Sequence, residues 1–501
     1  MAMKGFTRGF RPLELLTEEQ VESIHRATLT VLSSTGVRFE SERALALFES
    51  HGCRVDPNDM RVRFPEALVE ECLRRCPSTF HVKAREPKND LVIGGNTVYF
   101  MAFPGMRTVD LDTWEPRTPT RQETYEAVAV LDALDNLNCI GPYTPYFGFA
   151  GVPQIMLVPE NVAANIRNST KIQRTVQRGE MFSIAMAEAA GTEIIGGCTI
   201  APPMTLYQDA VESTFRVCEA GLPLHVISGG LMGATAPATL AGATITNNVE
   251  LLAGLIMAQL IRPGTRVLVD HFVFPMNMST GSPDFGAIGI CLHQAAFNQI
   301  WRHYEVPIVN GAGACSASKA IDFQSGYEKA MAALTSALSG ANIIHLHGAV
   351  HGELTYHPAQ SVLDDDIAGM VGRFLEGMKV TDATLAVDLI GEVGPIPGNY
   401  MVTPHTRQWW RAEQFIPRSA DKLTYPEWMD KGRKTALEYA QERVDGILAE
   451  HKPTLLSASQ EERVEAVLEE ARRYYRDNGL ISDSEWAEYV KQTESPNYPY
   501  A

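Results

Sequence analysis

Four of the thirteen histidines of this chain fall in one short stretch: His345, His347, His351 and His357. His345 and His347 close an apolar run, and their spacing of two residues would place both rings on one face of a strand. His271 closes another apolar run. Histidines at strand ends can hydrogen-bond a polar ligand, bind zinc, or serve as buried scaffolding. As a cluster, they predict a ligand pocket.

Aromatic residues accompany these segments. Phe272 and Phe274 follow His271, and Phe103 lies in a turn-rich segment between Gly94 and Gly105. Aromatic faces attract cations, so such rings could enclose a positively charged ligand. Core packing would explain them equally well.

Metal and nucleotide sites are less well supported by the sequence. No cysteine lies near the histidine cluster, and a catalytic zinc would need a third ligand from elsewhere. The spacing of His51, Cys53, Cys72 and Cys76 is loosely metal-like, but the segment is amphipathic and helical, which indicates buried structural thiols. The run from Gly229 to Gly233 lacks the spacing of a dinucleotide fingerprint. We expect neither a metal nor a nucleotide.

Strands and helices alternate from about residue 137 onward, as in a (β/α)8 barrel of the α/β class. A doubly wound open sheet would show a similar alternation. In a barrel the active site lies at the carboxyl ends of the strands, which is where the histidines fall. The predicted strands are Leu137–Ile140, Lys171–Thr175, Glu193–Thr199, Pro223–Ile227, Arg266–Asp270, Pro307–Asn310, Asn342–His347 and Leu385–Ile390.

The pattern differs on either side of this alternation. Residues 1–120 predict an N-terminal extension of helices and short β segments, with capping-box spacing from Thr17 to Gln20. Residues 121–425 are assigned to the barrel, and residues 426–501 to C-terminal helices and a tail.

Composition limits the partners. The chain has 501 residues and a net charge of −17, which argues against nucleic acid or an anionic membrane as the main partner. No apolar run long enough for a membrane span is apparent, and none follows Lys4 as a signal peptide would require. The eight cysteines are dispersed, which indicates reduced thiols and a cytoplasmic protein.

Three motifs together carry a family resemblance. Irregularly spaced polar and aromatic residues, which fit neither helix nor strand periodicity, run from Gly398-Asn399-Tyr400 through His405-Thr406 to Trp428. With the segments Leu231–Pro237 and Gln324–Ala330, they make the chain resemble the trimethylamine methyltransferase family over nearly its whole length. The resemblance also implies a barrel. It further implies an enzyme that passes a methyl group from a methylated amine to a corrinoid protein.

The trimethylamine enzymes of this family carry pyrrolysine, whereas this chain has only standard residues. The resemblance therefore implies the branch that acts on quaternary amines, because loss of a methyl from a quaternary ammonium releases a neutral tertiary amine. Glycine betaine, which would give dimethylglycine, is the expected substrate. Cobalamin would be carried by the partner corrinoid protein, and we expect a homo-oligomer.

The same resemblance implies roles for the candidate residues. His345, His347 and His271 would bind the carboxylate of the substrate, and Glu353 would balance charge or orient a histidine. Phe103, Phe272 and Phe274 would face the ammonium group. Two alternatives stay open: a zinc-dependent corrinoid methyltransferase acting on another methyl donor, and a family member that binds betaine without turnover.

Overall fold

Eight parallel strands form a closed barrel, and a helix on the outside follows each strand. The computed structural model describes residues 5–141, 145–312, 315–496 and 498–499. Neighbouring strands pair in chain order, and the last strand pairs with the first. The strands β1 to β8 are Thr97–Ala102, Leu137–Ile140, Ile172–Arg174, Ile194–Ile200, Leu224–Ser228, Val267–His271, Ile308–Asn310 and Ile343–His347. The helices α1 to α8 are Arg121–Ala133, Leu157–Asn168, Glu180–Ala190, Gln208–Glu219, Leu240–Ile261, Ile288–His303, Phe323–Ser339 and Pro358–Leu375.

The predicted fold class is confirmed, and seven of the eight predicted strands lie where the barrel has one. The strand predicted at Leu385–Ile390 is wrong, because this segment falls in two short helices, Asp382–Leu385 and Val387–Val393. The first barrel strand is instead β1, within the segment assigned to the N-terminal extension. Because Gly94 and Gly95 precede β1, its sequence resembles that of an isolated short strand rather than a strand of the barrel. The division into three domains stays a prediction.

The N-terminal extension packs against the outside of the barrel. Its helices are Glu18–Ser34, Glu42–Ser50 and Glu66–Arg75, and the first has the predicted capping box at Thr17. They bury apolar residues against α5. Helix α5 is long and apolar enough to cross a membrane, but 72% of its most apolar window is buried. It is therefore a core helix of this fold.

A hairpin fills the amino-terminal end of the barrel. Its strands are Thr79–Val82 and Leu91–Gly94. The apolar side chains of the hairpin form one buried cluster with residues from the inner face of the barrel strands, among them Tyr99, Ile172, Leu268 and Ile343. The lumen is thus packed with apolar side chains at this end, and polar chemistry is confined to the other.

The chain leaves the barrel after α8. Residues 376–434, here called the arm, contain four short helices: Asp382–Leu385, Val387–Val393, Pro404–Trp409 and Tyr425–Asp430. Three further helices then return to the barrel wall: Ala436–Glu450 against α8 and α1, Ala458–Asp477 against α2 and α3, and Asp483–Thr493. The whole signature segment between Gly398 and Trp428 thus lies in the arm.

Candidate active site

Polar side chains form a layer inside the barrel. Ile172, Leu268 and Ile343 face the lumen in the apolar cluster, and residues two positions further along a strand point the same way. This alternation brings Arg174, Asp270 and His345 to the lumen, nearer the carboxyl ends of the strands. All three are buried, as is the neighbouring His225 of β5. The layer therefore combines a cation, an acid and two imidazoles away from water.

Asp270 connects several strands of this layer. Its Oδ1 accepts a hydrogen bond of 2.7 Å from the backbone N–H of Gly311, and its Oδ2 lies 3.0 Å from Nε2 of His225. A Cβ at position 311 would lie 2.8 Å from that carboxylate, so glycine permits the approach. Burial raises the pKa of Asp270 to about 6, although His345 and Arg174 act in the opposite direction. Asp270 is therefore mostly ionised at pH 7, and its titration lies just below neutral pH.

The two lumen histidines are neutral at pH 7. Burial lowers the pKa of His345 to about 3, against the opposing effect of Asp270, and burial also lowers the pKa of His225. Within the described part of the chain, Nε2 of His345 and both ring nitrogens of His225 make no well-directed hydrogen bond. Buried polar atoms are normally paired. Nε2 of His345 therefore points to a ligand that enters the lumen, whereas Nε2 of His225 lies beside Asp270.

An aromatic layer lies on the mouth side of the polar one. Phe103 meets His345 edge-on, with ring centroids 5.7 Å apart, and stacks with Phe272 at 6.4 Å. Phe272 packs against Phe274 at 4.9 Å, and Phe274 against Phe285 at 5.1 Å. The structure thus brings the three predicted phenylalanines together, and Phe103 lies directly beside His345. Ring faces at this position could hold a cation above the polar layer.

His271 lies on the opposite side of its strand from Asp270. Its Nε2 is 2.7 Å from Nδ1 of His293 on α6, and its ring packs against Phe297. Successive residues of a strand face opposite sides of the sheet, so a lumen-facing Asp270 requires an outward His271. The structure does not bring His271 to the pocket.

His347 also faces outward, although the sequence predicted it beside His345. The pairing of β8 with β1 shifts register between these two histidines: His345 is opposite Met101 and His347 opposite Ala102. His347 consequently contacts Asp365 of α8, at 3.4 Å from Nε2 to Oδ1, and the ring of Phe100. The prediction of one shared face is wrong because the extra residue of a β-bulge breaks the two-residue alternation.

Glu353 lies in the loop after β8 and is partly exposed. Its backbone carbonyl accepts a hydrogen bond from Met106, and burial raises the pKa of its carboxyl. Its charge adds to the effect of burial in raising the pKa of Cys315. Within the described residues no hydrogen bond joins its carboxylate to a histidine, so its predicted role remains a prediction.

The segment Gln324–Ala330 braces the loops around the mouth. Nζ of Lys329 contacts Oδ2 of Asp364 at 2.7 Å and the carbonyl oxygen of Ala349 at 2.9 Å. Glu328 accepts hydrogen bonds from the hydroxyl of Ser316 and the backbone N–H of Ala317. These buried contacts fix the chain just after β7 and β8. The segment thus positions the site rather than lining it.

Arg174, His225 and Asp270 were not among the predicted site residues. Counting inward positions from Leu268 and Ile172 would have indicated Asp270 and Arg174, because each lies two residues further along its strand. His225 carries no such signal, since an imidazole early in a strand resembles core packing. Among the described residues, no group of three or more His, Cys, Asp or Glu side chains could hold a metal ion.

Comparison with known proteins defines the family. The model of the trimethylamine methyltransferase family (MTTB) matches residues 1–474. The chain belongs to the trimethylamine methyltransferase family. It is 31% identical to trimethylamine methyltransferase MttB of Desulfitobacterium hafniense strain DSM 10664 / DCB-2 over 480 residues, covering 92% of this chain and 94% of that protein. The resemblance drawn from the sequence motifs is therefore confirmed.

Two other similar proteins are named for different substrates. Glycine betaine methyltransferase of Desulfitobacterium hafniense strain Y51 is also 31% identical, over 478 residues, with 91% of this chain and 96% of that protein covered. The solved monomethylamine methyltransferase MtmB of Methanosarcina barkeri aligns over 92% of this chain and 93% of its own, with 13% identity and a TM-score of 0.46. Because a trimethylamine enzyme and a glycine betaine enzyme are equally identical to this chain, membership of the trimethylamine methyltransferase family leaves the amine open.

Proposed function

We propose that this protein transfers a methyl group from a quaternary amine carrying a carboxylate, first of all glycine betaine, to the Co(I) corrinoid of a partner protein. The observation that supports this substrate class is the pair of opposite buried charges, Arg174 and Asp270, beneath an aromatic layer. A betaine carries one charge of each sign. A simple methylated amine has no carboxylate that the guanidinium of Arg174 could bind.

The two layers assign parts of the substrate to parts of the lumen. Phe103 and Phe272 face the trimethylammonium group, whose charge attracts the ring faces. Arg174 and the free Nε2 of His345 bind the carboxylate deeper in the barrel, while Nε2 of His225 stays beside Asp270. This orientation directs a methyl group toward the mouth, where the acceptor must present its cobalt.

The reaction needs little from acid or base groups. The carbon–nitrogen bond breaks with its electron pair retained by nitrogen, and the two electrons of Co(I) form the new bond to carbon. Dimethylglycine leaves as a neutral tertiary amine with its carboxylate, so no proton moves in the step. A pocket of neutral imidazoles and aromatic rings fits this requirement. The corrinoid is a substrate brought by the partner, and the chain itself needs no resident metal.

The absorbance of Co(I) cobalamin tests the proposal directly. The purified protein is mixed anaerobically with Co(I) cobalamin and, separately, glycine betaine, proline betaine, carnitine or trimethylamine. We expect loss of Co(I) absorbance and formation of dimethylglycine with glycine betaine. Transfer from another betaine alone would keep the reaction and change the substrate. Transfer from trimethylamine alone would overturn the proposed substrate class.

Two outcomes would favour the alternatives. Activity that appears only after zinc is added, with a thiol or alcohol methyl donor, would favour the zinc-dependent enzyme. Tight binding of glycine betaine without methyl transfer, repeated with the cognate corrinoid protein, would favour a protein that only binds. We also propose a cytoplasmic location, which the eight free, buried cysteines support.

A further inference from the structure

The arm has almost no core of its own. Ser419 is its single buried residue between positions 376 and 434, all of which the structure describes. The arm is attached mainly near Arg418 and Ser419, whose backbone N–H groups donate to Asp366 of α8. The rest of the arm exposes large apolar side chains to solvent, most of them outside its short helices. They include Met378 (81% exposed), Val387 (68%), Ile396 (95%), Met401 (81%) and Val402 (73%).

An apolar groove lies where the arm leaves the barrel. It encloses about 510 Å³ and is lined mainly by Phe10, Met370, Phe374, Met378 and Phe415. Met370 and Phe374, at the end of α8, are more than half exposed. The groove and the arm are contiguous because Met378 belongs to both. The groove and the exposed apolar side chains of the arm are together called the arm face.

The arm and α8 together expose a large amount of apolar area. The ten apolar side chains of the arm and α8 that are at least half exposed leave an area on the order of 1,000 Å² uncovered. A stable protein–protein interface buries roughly 800 Å² on each partner, so this total is comparable with one side of such an interface. The surface is therefore sufficient for a stable complex.

The charge of the arm differs from that of the whole chain. Residues 376–434 contain eight acidic and eight basic residues, whereas the chain as a whole carries −17. Two identical, strongly acidic molecules repel each other least through a neutral surface. Self-association through the arm thus meets less electrostatic opposition than the charge of the whole chain would suggest.

The groove of the arm face lies at the end of the barrel opposite the mouth. Helix α8 follows β8, so it runs from the mouth of the barrel toward the opposite end. The groove lies at the end of α8, beside the segment in which Phe6 pairs with Val98 at the start of β1. The N–H of Gly9 donates there to the carbonyl of Leu375. The groove therefore lies away from the mouth, where the corrinoid protein would dock.

We propose that the arm face binds a second copy of this chain, with the arm of each copy packed against the arm face of the other. Such an exchange is isologous, so a two-fold axis relates the copies and the same residues are buried on both sides. The inference does not depend on the proposed reaction.

Mass measurement of the purified chain at about 10 μM, by light scattering after size exclusion and by sedimentation velocity, tests the proposal. We expect a mass of two chains or an even multiple. Ile396→Asp and Met401→Asp should each raise the dissociation constant by about 100-fold, because a charge would be buried without a partner. Leu455→Asp is the matched control, since Leu455 is 66% exposed but lies outside the arm.

Circular dichroism melting of each variant separates lost association from lost folding. All three substitutions replace exposed side chains, so the folded barrel should be retained. A monomeric wild-type protein at this concentration would overturn the proposal. So would a dimer that Ile396→Asp and Met401→Asp leave intact, or one that Leu455→Asp weakens equally. Assembly with the corrinoid protein only, and not with itself, would assign the arm face to that partner instead.

Discussion

Nε2 of His225 lies 3.0 Å from Oδ2 of Asp270 inside the barrel, while the other carboxylate oxygen accepts a hydrogen bond from the N–H of Gly311. One carboxylate therefore links β5, β6 and the end of β7 at the level of the proposed substrate. Its pKa of about 6 places its titration within the range of ordinary assays. Asp270 is thus both a structural link and a charge that pH can remove.

Asp270→Asn should lower kcat/KM for glycine betaine by about tenfold at pH 7.5, because it removes negative potential near the ammonium group. In the wild-type protein, kcat/KM should rise with pH through about 6 as Asp270 ionises. The variant should lack this inflection. The measurement is kcat/KM between pH 5 and 8. An unchanged inflection in the variant would show that another group titrates.

His345→Asn and His347→Asn form a matched pair on one strand. His345 faces the lumen beside Phe103, whereas His347 contacts Asp365 on the outside. We expect His345→Asn to raise the Kd for glycine betaine by about ten- to a hundredfold, since a hydrogen bond to a charged group contributes about 1.5–3 kcal/mol. His347→Asn should leave the Kd unchanged within about twofold and lower the melting temperature. Titration calorimetry and thermal melts measure the two effects. Equal losses of affinity would contradict the outward placement of His347.

Phe103→Leu and Phe272→Leu should weaken binding of glycine betaine by about 5- to 30-fold, because cation–π contacts contribute about 1–2 kcal/mol at desolvated sites. The control is 3,3-dimethylbutyrate, whose tert-butyl group has a similar shape to trimethylammonium but no charge. The wild-type protein should prefer the cation, and the leucine variants should lose most of that preference. Competition binding gives both constants. If both ligands weaken equally, the rings supply packing only.

The buried carboxyl of Glu250 should make the free energy of unfolding depend on pH. It is buried on α5, where Oε1 accepts a hydrogen bond from the N–H of Met204 and Oε2 accepts one from the hydroxyl of Ser228. Burial raises its pKa to about 7, from an ordinary value of 4.5. The folded state therefore holds a proton that the unfolded chain releases, so stability falls as pH rises from about 4.5 through 7.

Glu250→Gln removes this titration while keeping the shape of the side chain. The difference in unfolding free energy between variant and wild type should grow in favour of the variant between pH 5 and 8, by about 3 kcal/mol at most. Urea melts at several pH values measure it. Taking the difference cancels other groups in the same window, such as Asp270. A constant difference across the range would contradict the raised pKa.

The sequence was a good guide to the barrel because each strand–helix pair has a local signal. Apolar runs of four to seven residues alternate with helical segments, and seven of the eight strands could be placed from that alternation. The failure at Leu385–Ile390 has a physical cause. Its apolar residues remain exposed on short helices, so their pattern does not reflect burial in the core of the barrel.

The site was harder to predict than the fold. Phe103, Phe272, Phe274 and His345 do come together, because they lie at strand ends that meet at the mouth. His271 and His347 do not join them. His271 occupies an outward-facing position of its strand, and a register shift turns His347 outward. Periodicity alone could have decided the first case. The second depends on how β8 pairs with β1, which is a long-range contact that no local pattern contains.

The hairpin that fills the amino-terminal end of the barrel gives the lumen a single entrance. Amine, product and methyl acceptor would then use the same opening, and dimethylglycine could not leave while the corrinoid protein covers it. Under the proposed function, turnover becomes a strict sequence of entry, docking, undocking and exit. Product escape would be timed by the lifetime of the protein–protein complex, and a tighter-binding partner would make a slower enzyme.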